Sequence, residues 1–152
     1  MAIKIFIDQG HNPQNPNAGA EGNGLREQDI TYDTGLRLAS LLRDNGNFEV
    51  RLSRNTPTEQ LGTSNASSLA ERVRAANDWG ADYFISLHTN ASTDPSASGT
   101  EAYAFSSNSR GFALGESIVA GISRITGLRN RGTFARPSLY VLRRTKMPST
   151  LI

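Results

Sequence analysis

Apolar residues along this chain fall either into short continuous runs or into longer stretches where they recur every three to four positions. Ile3-Lys4-Ile5-Phe6-Ile7 is β-branched and aromatic and is stopped by Asp-Gln-Gly, which predicts a mostly buried first strand. Leu25, Ile30, Leu36, Leu38, Leu41 and Leu42 follow at roughly helical spacing and predict an amphipathic helix from about Glu27 to Arg43, ended by Asp44-Asn45-Gly46-Asn47. Phe48 to Ser53 alternates like a strand with one solvated face. Leu69, Val73, Ala76 and Trp79 mark a second helix, with Ser67 or Ser68 as its cap and Gly80 as its stop. Tyr83-Phe84-Ile85-Ser86-Leu87 is the next strand.

Strand, helix, strand, helix, strand is the alternation of an α/β fold, a single domain with a mainly parallel twisted sheet and helices on both faces. Beyond it, Glu101 to Phe105 alternates like a strand, and Phe112, Leu114, Ile118, Ile122 and Ile125 predict a third helix ended by Gly127. Ser138 to Leu142 and Ser149 to Ile152 read as the last strands, with Pro148 at the start of the second. Asn12 to Asn23, Arg54 to Ser68, Ala91 to Thr100 and the basic stretch before Ser138 read as loops.

With 152 residues, 37% of them hydrophobic and 20% charged, the chain can bury one core and is not disordered. The absence of cysteine excludes disulfides and thiolate metal sites. No apolar run is long enough to span a bilayer, and no signal-peptide pattern precedes the first strand. The net charge of +2 hides an asymmetry: residues 117 to 152 carry seven basic side chains and no acidic one. Aromatic residues are sparse there (Phe134 and Tyr140), so stacking on nucleic acid has little support, whereas arginines such as Arg129 and Arg131 suit substrate carboxylates.

The candidate chemistry lies where strands end. His11 follows the first strand and His88 follows Leu87, and the chain holds no other histidine. Glu27 sits in the first turn of the first helix, where a carboxylate is favoured with or without a function. Two imidazoles and one carboxylate suit zinc with a fourth position left for water, the arrangement of hydrolytic sites. By spacing alone, Glu21, Glu101 or Asp94 could replace Glu27. Asp8 reads as a strand-end turn residue, with orientation of a histidine as the other role open to it.

Ile7-Asp8-Gln9-Gly10-His11, Gly24-Leu25-Arg26-Glu27-Gln28-Asp29-Ile30, Ser68-Leu69-Ala70-Glu71-Arg72, Ala81 through Ala91, Gly99-Thr100-Glu101 and Leu139-Tyr140-Val141-Leu142 occur in this order. Together they resemble the zinc-dependent N-acetylmuramoyl-L-alanine amidases of type 3, found among cell-wall hydrolases, sporulation and germination enzymes and phage lysins. The resemblance implies a phosphorylase/hydrolase-like fold and Zn2+ on His11, Glu27 and His88. It also implies cleavage of the amide between N-acetylmuramic acid and L-alanine in peptidoglycan, by a monomer acting outside the cell, in the wall or periplasm, as a phage-type or processed protein. Asn90, Arg129 and Arg131 are the expected substrate contacts. Gln9 stands where the family usually carries proline. The family's catalytic glutamate, in a Glu-x-Gly-Phe segment, aligns one residue past Ile152, followed by a closing helix. On that alignment residues 1–152 are a catalytic domain without its last segment. Glu101 is the fallback base, and a weakly active zinc- and peptidoglycan-binding fragment is the alternative.

Overall fold

Strand β1 (Ile3–Gln9) is buried over its last five residues, because it lies inside a sheet covered on both faces. The computed structural model describes residues 1–152. After β1 come a small hairpin of β2 (Glu21–Gly22) and β3 (Leu25–Arg26), helix α1 (Glu27–Asp44), β4 (Phe48–Leu52), α2 (Asn65–Trp79) and β5 (Tyr83–Leu87). The second half adds β6 (Thr100–Ala104), α3 (Arg110–Thr126), β7 (Asn130–Ala135), the short α4 (Tyr140–Arg144) and β8 (Ser149–Leu151). The main sheet has the order β4-β1-β5-β8-β6-β7. Its first four strands run parallel, β6 is antiparallel to β8, and β7 is parallel to β6. The carboxyl ends of β4, β1, β5 and β8 and the starts of β6 and β7 therefore share one edge.

Two apolar layers hold the helices on. Phe6, Val73, Ala76, Phe84, Val141 and Leu142 pack under α2 and α4, with the Phe6 and Phe84 rings stacked 5.7 Å apart. Ile5, Ile7, Ala39, Val50 and Ile85 pack on the other face, with α1 and α3 over them. Helix α3 approaches so closely at Gly111 that a Cβ there would lie 2.1 Å from the Ser149 carbonyl oxygen. No helix is long and apolar enough to cross a membrane.

The α/β reading and the three long helices agree with the sequence pattern. Three local expectations do not. Residues 138–142 were expected as a strand, but Tyr140–Arg144 is a helical turn that presses Val141 and Leu142 onto α2 and turns Arg143 and Arg144 outward. A four-residue apolar run does not carry enough periods to separate the two states. The basic stretch expected as a loop contains β7, an edge strand formed by pairing with β6 in the register Tyr103↔Phe134. Its exposure leaves almost no alternation to read. Helix α2 begins earlier than expected, since the Ser64 side chain accepts from Ser67 N and the Ser67 side chain accepts from Ser64 N in a capping box.

Asp8 takes neither role read from the sequence. It is buried in an ion pair with Arg72, whose Nη1 donates to Asp8 Oδ1 at 2.7 Å, while Ser86 Oγ donates to Oδ2 at 2.7 Å. Burial alone would raise its proton affinity, but the Arg72 charge and these hydrogen bonds outweigh it and hold Asp8 below the ordinary carboxylate range. Because the folded value is depressed, this stabilisation is complete above the unfolded value of about 3.9 and is lost as the pH falls further. Asp8→Ala, which strands the buried guanidinium, should lower unfolding free energy by about 3–5 kcal/mol at neutral pH in urea titrations. The gap between parent and variant should close below about pH 4. Glu21→Ala, at an exposed pair with Arg26, should leave the urea midpoint almost unchanged.

Candidate metal centre

His11, Glu27 and His88 converge at the carboxyl edge of the sheet, each offering one ligand atom, all within 4.8 Å of one another. His11 leaves β1 with φ 70°, a left-handed backbone that few non-glycine residues adopt and that turns its ring back over the sheet. Gly10 before it has no room for a side chain, since a Cβ would lie 2.5 Å from His88 Cε1 and from the Leu87 carbonyl oxygen. Glu27 opens α1. Thr31 Oγ1, one turn later, donates to Gly10 O at 2.7 Å and ties that helix to the β1 exit.

The Glu27 carboxylate lies between the two rings, 3.3 Å from His11 Nε2 and 3.3 Å from His88 Nδ1. The backbone amides of Ala20 and Thr89 donate to its oxygens at 3.1 and 2.8 Å. Burial pushes its proton affinity up, yet hydrogen bonds from both imidazoles and both amides reverse this and hold it well below the usual carboxylate range. The imidazoles stand edge to face with centroids 4.9 Å apart. Bonds of about 2.0–2.1 Å around tetrahedral zinc set ligand atoms roughly 3.3 Å apart; each imidazole lies at that distance from a Glu27 oxygen, His11 from Oε2 and His88 from Oε1. The donor set, two imidazoles and a carboxylate, also fits it.

The other acids that spacing left open lie elsewhere. Glu21 is exposed in the β2–β3 hairpin, bonded to Arg26 and Gln28. Asp94 accepts from Ser96 in an exposed loop. Glu101, at the start of β6, accepts from Asn90 Nδ2 at 2.8 Å and from the Tyr103 hydroxyl, and its other oxygen lies 3.2 Å from Arg131 Nε. The Tyr103 hydroxyl, with Asn90 and Arg131, overcomes slight burial and keeps Glu101 below the ordinary carboxylate range. Arg131 and Asn90 are thus joined through one carboxylate. Arg129, whose carbonyl accepts from Thr100 N, is exposed beside them.

Sequence reasoning missed the groups that aim the ligands. Arg72 donates to Gln9 O and His11 O at 2.6 and 2.7 Å, and to Asn12 Oδ1 at 3.1 Å. Asn12 in turn fixes the loops around it through Pro16 O and Leu61 O. A signal for Arg72 was present: it shares the apolar stripe of Leu69, Val73 and Ala76, where a charge is out of place unless it is paired.

Zinc should bind with one-to-one stoichiometry, and His88→Ala should abolish it by elemental analysis. At free zinc about 100 times the dissociation constant, the parent should gain about 2.7 kcal/mol, read as a chelator-reversible rise in melting temperature that the variant lacks. Zinc uptake should weaken on acidification, since protons compete for the same ligand atoms.

A family model described as N-acetylmuramoyl-L-alanine amidase matches residues 5–152. The chain is 36% identical over 151 residues to N-acetylmuramoyl-L-alanine amidase CwlM of Bacillus licheniformis, covering 98% of this chain and 54% of that protein. It is 37% identical over 152 residues to the amidase LytC of Bacillus subtilis, covering 97% and 28% respectively. It therefore spans about half or less of these curated relatives. Among solved structures, an N-acetylmuramoyl-L-alanine amidase from Clostridium difficile 630 superposes with a TM-score of 0.85 at 27% identity, over 99% of this chain and 77% of that one. The catalytic domain of the amidase CwlV from Bacillus (Paenibacillus) polymyxa gives 0.82 at 30% identity, over 98% and 78%. A ligand-like His-Glu-His cluster at the sheet's carboxyl edge thus occurs in a chain that belongs, across nearly its whole length, to the N-acetylmuramoyl-L-alanine amidase family.

Proposed function

We propose that this domain hydrolyses the amide between N-acetylmuramic acid and L-alanine in peptidoglycan, in a zinc-dependent reaction outside the membrane. The observation that carries this reading is the Glu27 carboxylate set 3.3 Å from each of two imidazoles. A zinc ion held there would supply Lewis-acid polarisation of the scissile carbonyl and acidify water at neutral pH. The chain's residues do the holding: the Ala20 and Thr89 amides keep Glu27 ionised, and Arg72 keeps the His11 backbone in place.

A general base must be free to take a proton, and Glu101 is not placed for this. Its carboxylate already accepts from Tyr103 and Asn90 and is paired with Arg131, which weakens it as a base. We assign Glu101 instead to holding Arg131 and Asn90 for the stem peptide. The hydrogen bond from His88 N to Ile152 O, 2.9 Å long, holds Ile152 beside the ligands. The engagement of Glu101 also favours a second reading of residues 1–152 as a zinc- and peptidoglycan-binding unit of low turnover.

Incubation with purified peptidoglycan should release new alanine amino termini without new reducing sugars, and His88→Ala should abolish the release. New reducing ends with no new amines would reject the reaction class. Glu101→Gln should retain turnover within about tenfold, whereas loss of a true acid-base group costs on the order of 10²- to 10⁴-fold.

A further inference from the structure

The strand order gives the metal cluster two chemically different flanks. His11 and His88 follow β1 and β5, in the middle of the sheet. On the β4 side, the loop after His11 and the loop before α2 enclose a groove of about 480 Å³. Gln14, Asn15, Pro16, Thr58, Gln60 and Thr63 line it, and no ionisable residue does. On the β6–β7 side lies a groove of about 600 Å³ that includes Asn90, Asp94, Glu101 and Arg131.

The neutral groove is a built surface. Asn12, fully buried, donates to both Pro16 O and Leu61 O, and Gln60 Nε2 bridges Gln14 O and Pro16 O at 3.0 and 3.3 Å. The loops are thereby fixed to each other and, through Arg72, to the metal-side backbone. Their exposed amide and hydroxyl groups offer both donors and acceptors. The charged groups beside it are engaged: Arg26 with Pro13 O, Glu21 and Asp29, Glu71 with Gly62 N, and Glu59 with Asn55.

The two halves of the substrate differ in the same way. Once its carboxyl is in the amide, the muramoyl sugar is neutral and rich in hydroxyl and acetamide groups. The stem peptide carries carboxylates. A neutral donor-acceptor surface recognises the first without desolvating a charge, and forked guanidinium groups recognise the second.

We propose that the groove between residues 13–16 and 58–63 is the glycan subsite, so that the substrate lies across the sheet edge with its sugar on the β4 side and its peptide on the β6–β7 side. This rests on the amidase reading for the identity of the substrate. The subsite takes neutral N-acetylated disaccharide units by hydrogen bonding alone, since no aromatic side chain lines it.

The test is backbone-amide NMR of the zinc-loaded chain, titrated separately with a peptide-free N-acetylglucosamine–N-acetylmuramic acid oligomer whose lactyl carboxyls are capped as primary amides, which keeps it neutral, and with the free stem peptide. Sugar-induced shifts should fall at Gln14, Asn15 and 58–63, and peptide-induced shifts in 90–101 and 129–131. Thr58→Ala/Thr63→Ala, both exposed positions, should weaken the sugar response about 3- to 10-fold and leave the peptide response intact, as expected for lost neutral hydrogen bonds. Sugar shifts on the β6–β7 side, or none in the neutral groove, would overturn the orientation. Turnover is not needed for these titrations, so failure of the amidase reading shows separately, as an absence of cleavage in the peptidoglycan digest.

Discussion

The structure depends most on one buried guanidinium. Arg72 reaches from α2 through the sheet edge and donates to a carboxylate, two main-chain carbonyls and an amide oxygen, all within the five residues Asp8 to Asn12. Gln9 O lies at the last ladder position of β1 and His11 O beyond it; without Arg72 each would lose a charged donor, and a carbonyl left buried and unpaired costs about 1–3 kcal/mol. Asp8 balances the charge and Ser86 holds Asp8, which ties β1, β5 and α2 into one unit under the metal ligands. Such a pair is weak evidence of net stability against an apolar alternative; what it provides is a defined backbone path for His11.

That path explains why three side chains from distant sequence positions meet. Parallel strands deliver their exits to a common edge, and β1 and β5 are neighbours, so His11 and His88 emerge side by side. Glu27 joins them because α1 starts at that edge and is pinned there by Thr31 and by the two amides on its carboxylate. The left-handed backbone of His11 and the missing Cβ of Gly10 let the rings approach to 4.9 Å. Left-handed backbone and close packing meet at the ligands, while the loops further out remain polar and exposed.

Charge follows the same division. Arginines of residues 117–152, counted along the sequence, form an uncompensated basic block. In space, Arg131 is paired with Glu101, and Arg136 lies over the Tyr103 ring at 4.8 Å. What faces the candidate site on that side is a mixed network able to exchange one carboxylate for another. The groove on the opposite flank is lined by neutral residues.

The sequence by itself determined the α/β class, the long helices and the strands that carry the histidines, because buried strands and amphipathic helices print their periods directly on the chain. It also singled out His11, Glu27 and His88, since imidazoles at strand ends are few and the surrounding motifs are specific in combination. It misread β7 as a loop and α4 as a strand, whose short or exposed segments owe their state to the neighbours they pair with or press against. The role of Arg72, the burial of Asp8 and the engagement of Glu101 were decided only by tertiary structure. Each depends on a partner 2 to 64 residues away brought close by folding, and hydrogen bonds of that kind leave no local period in the sequence.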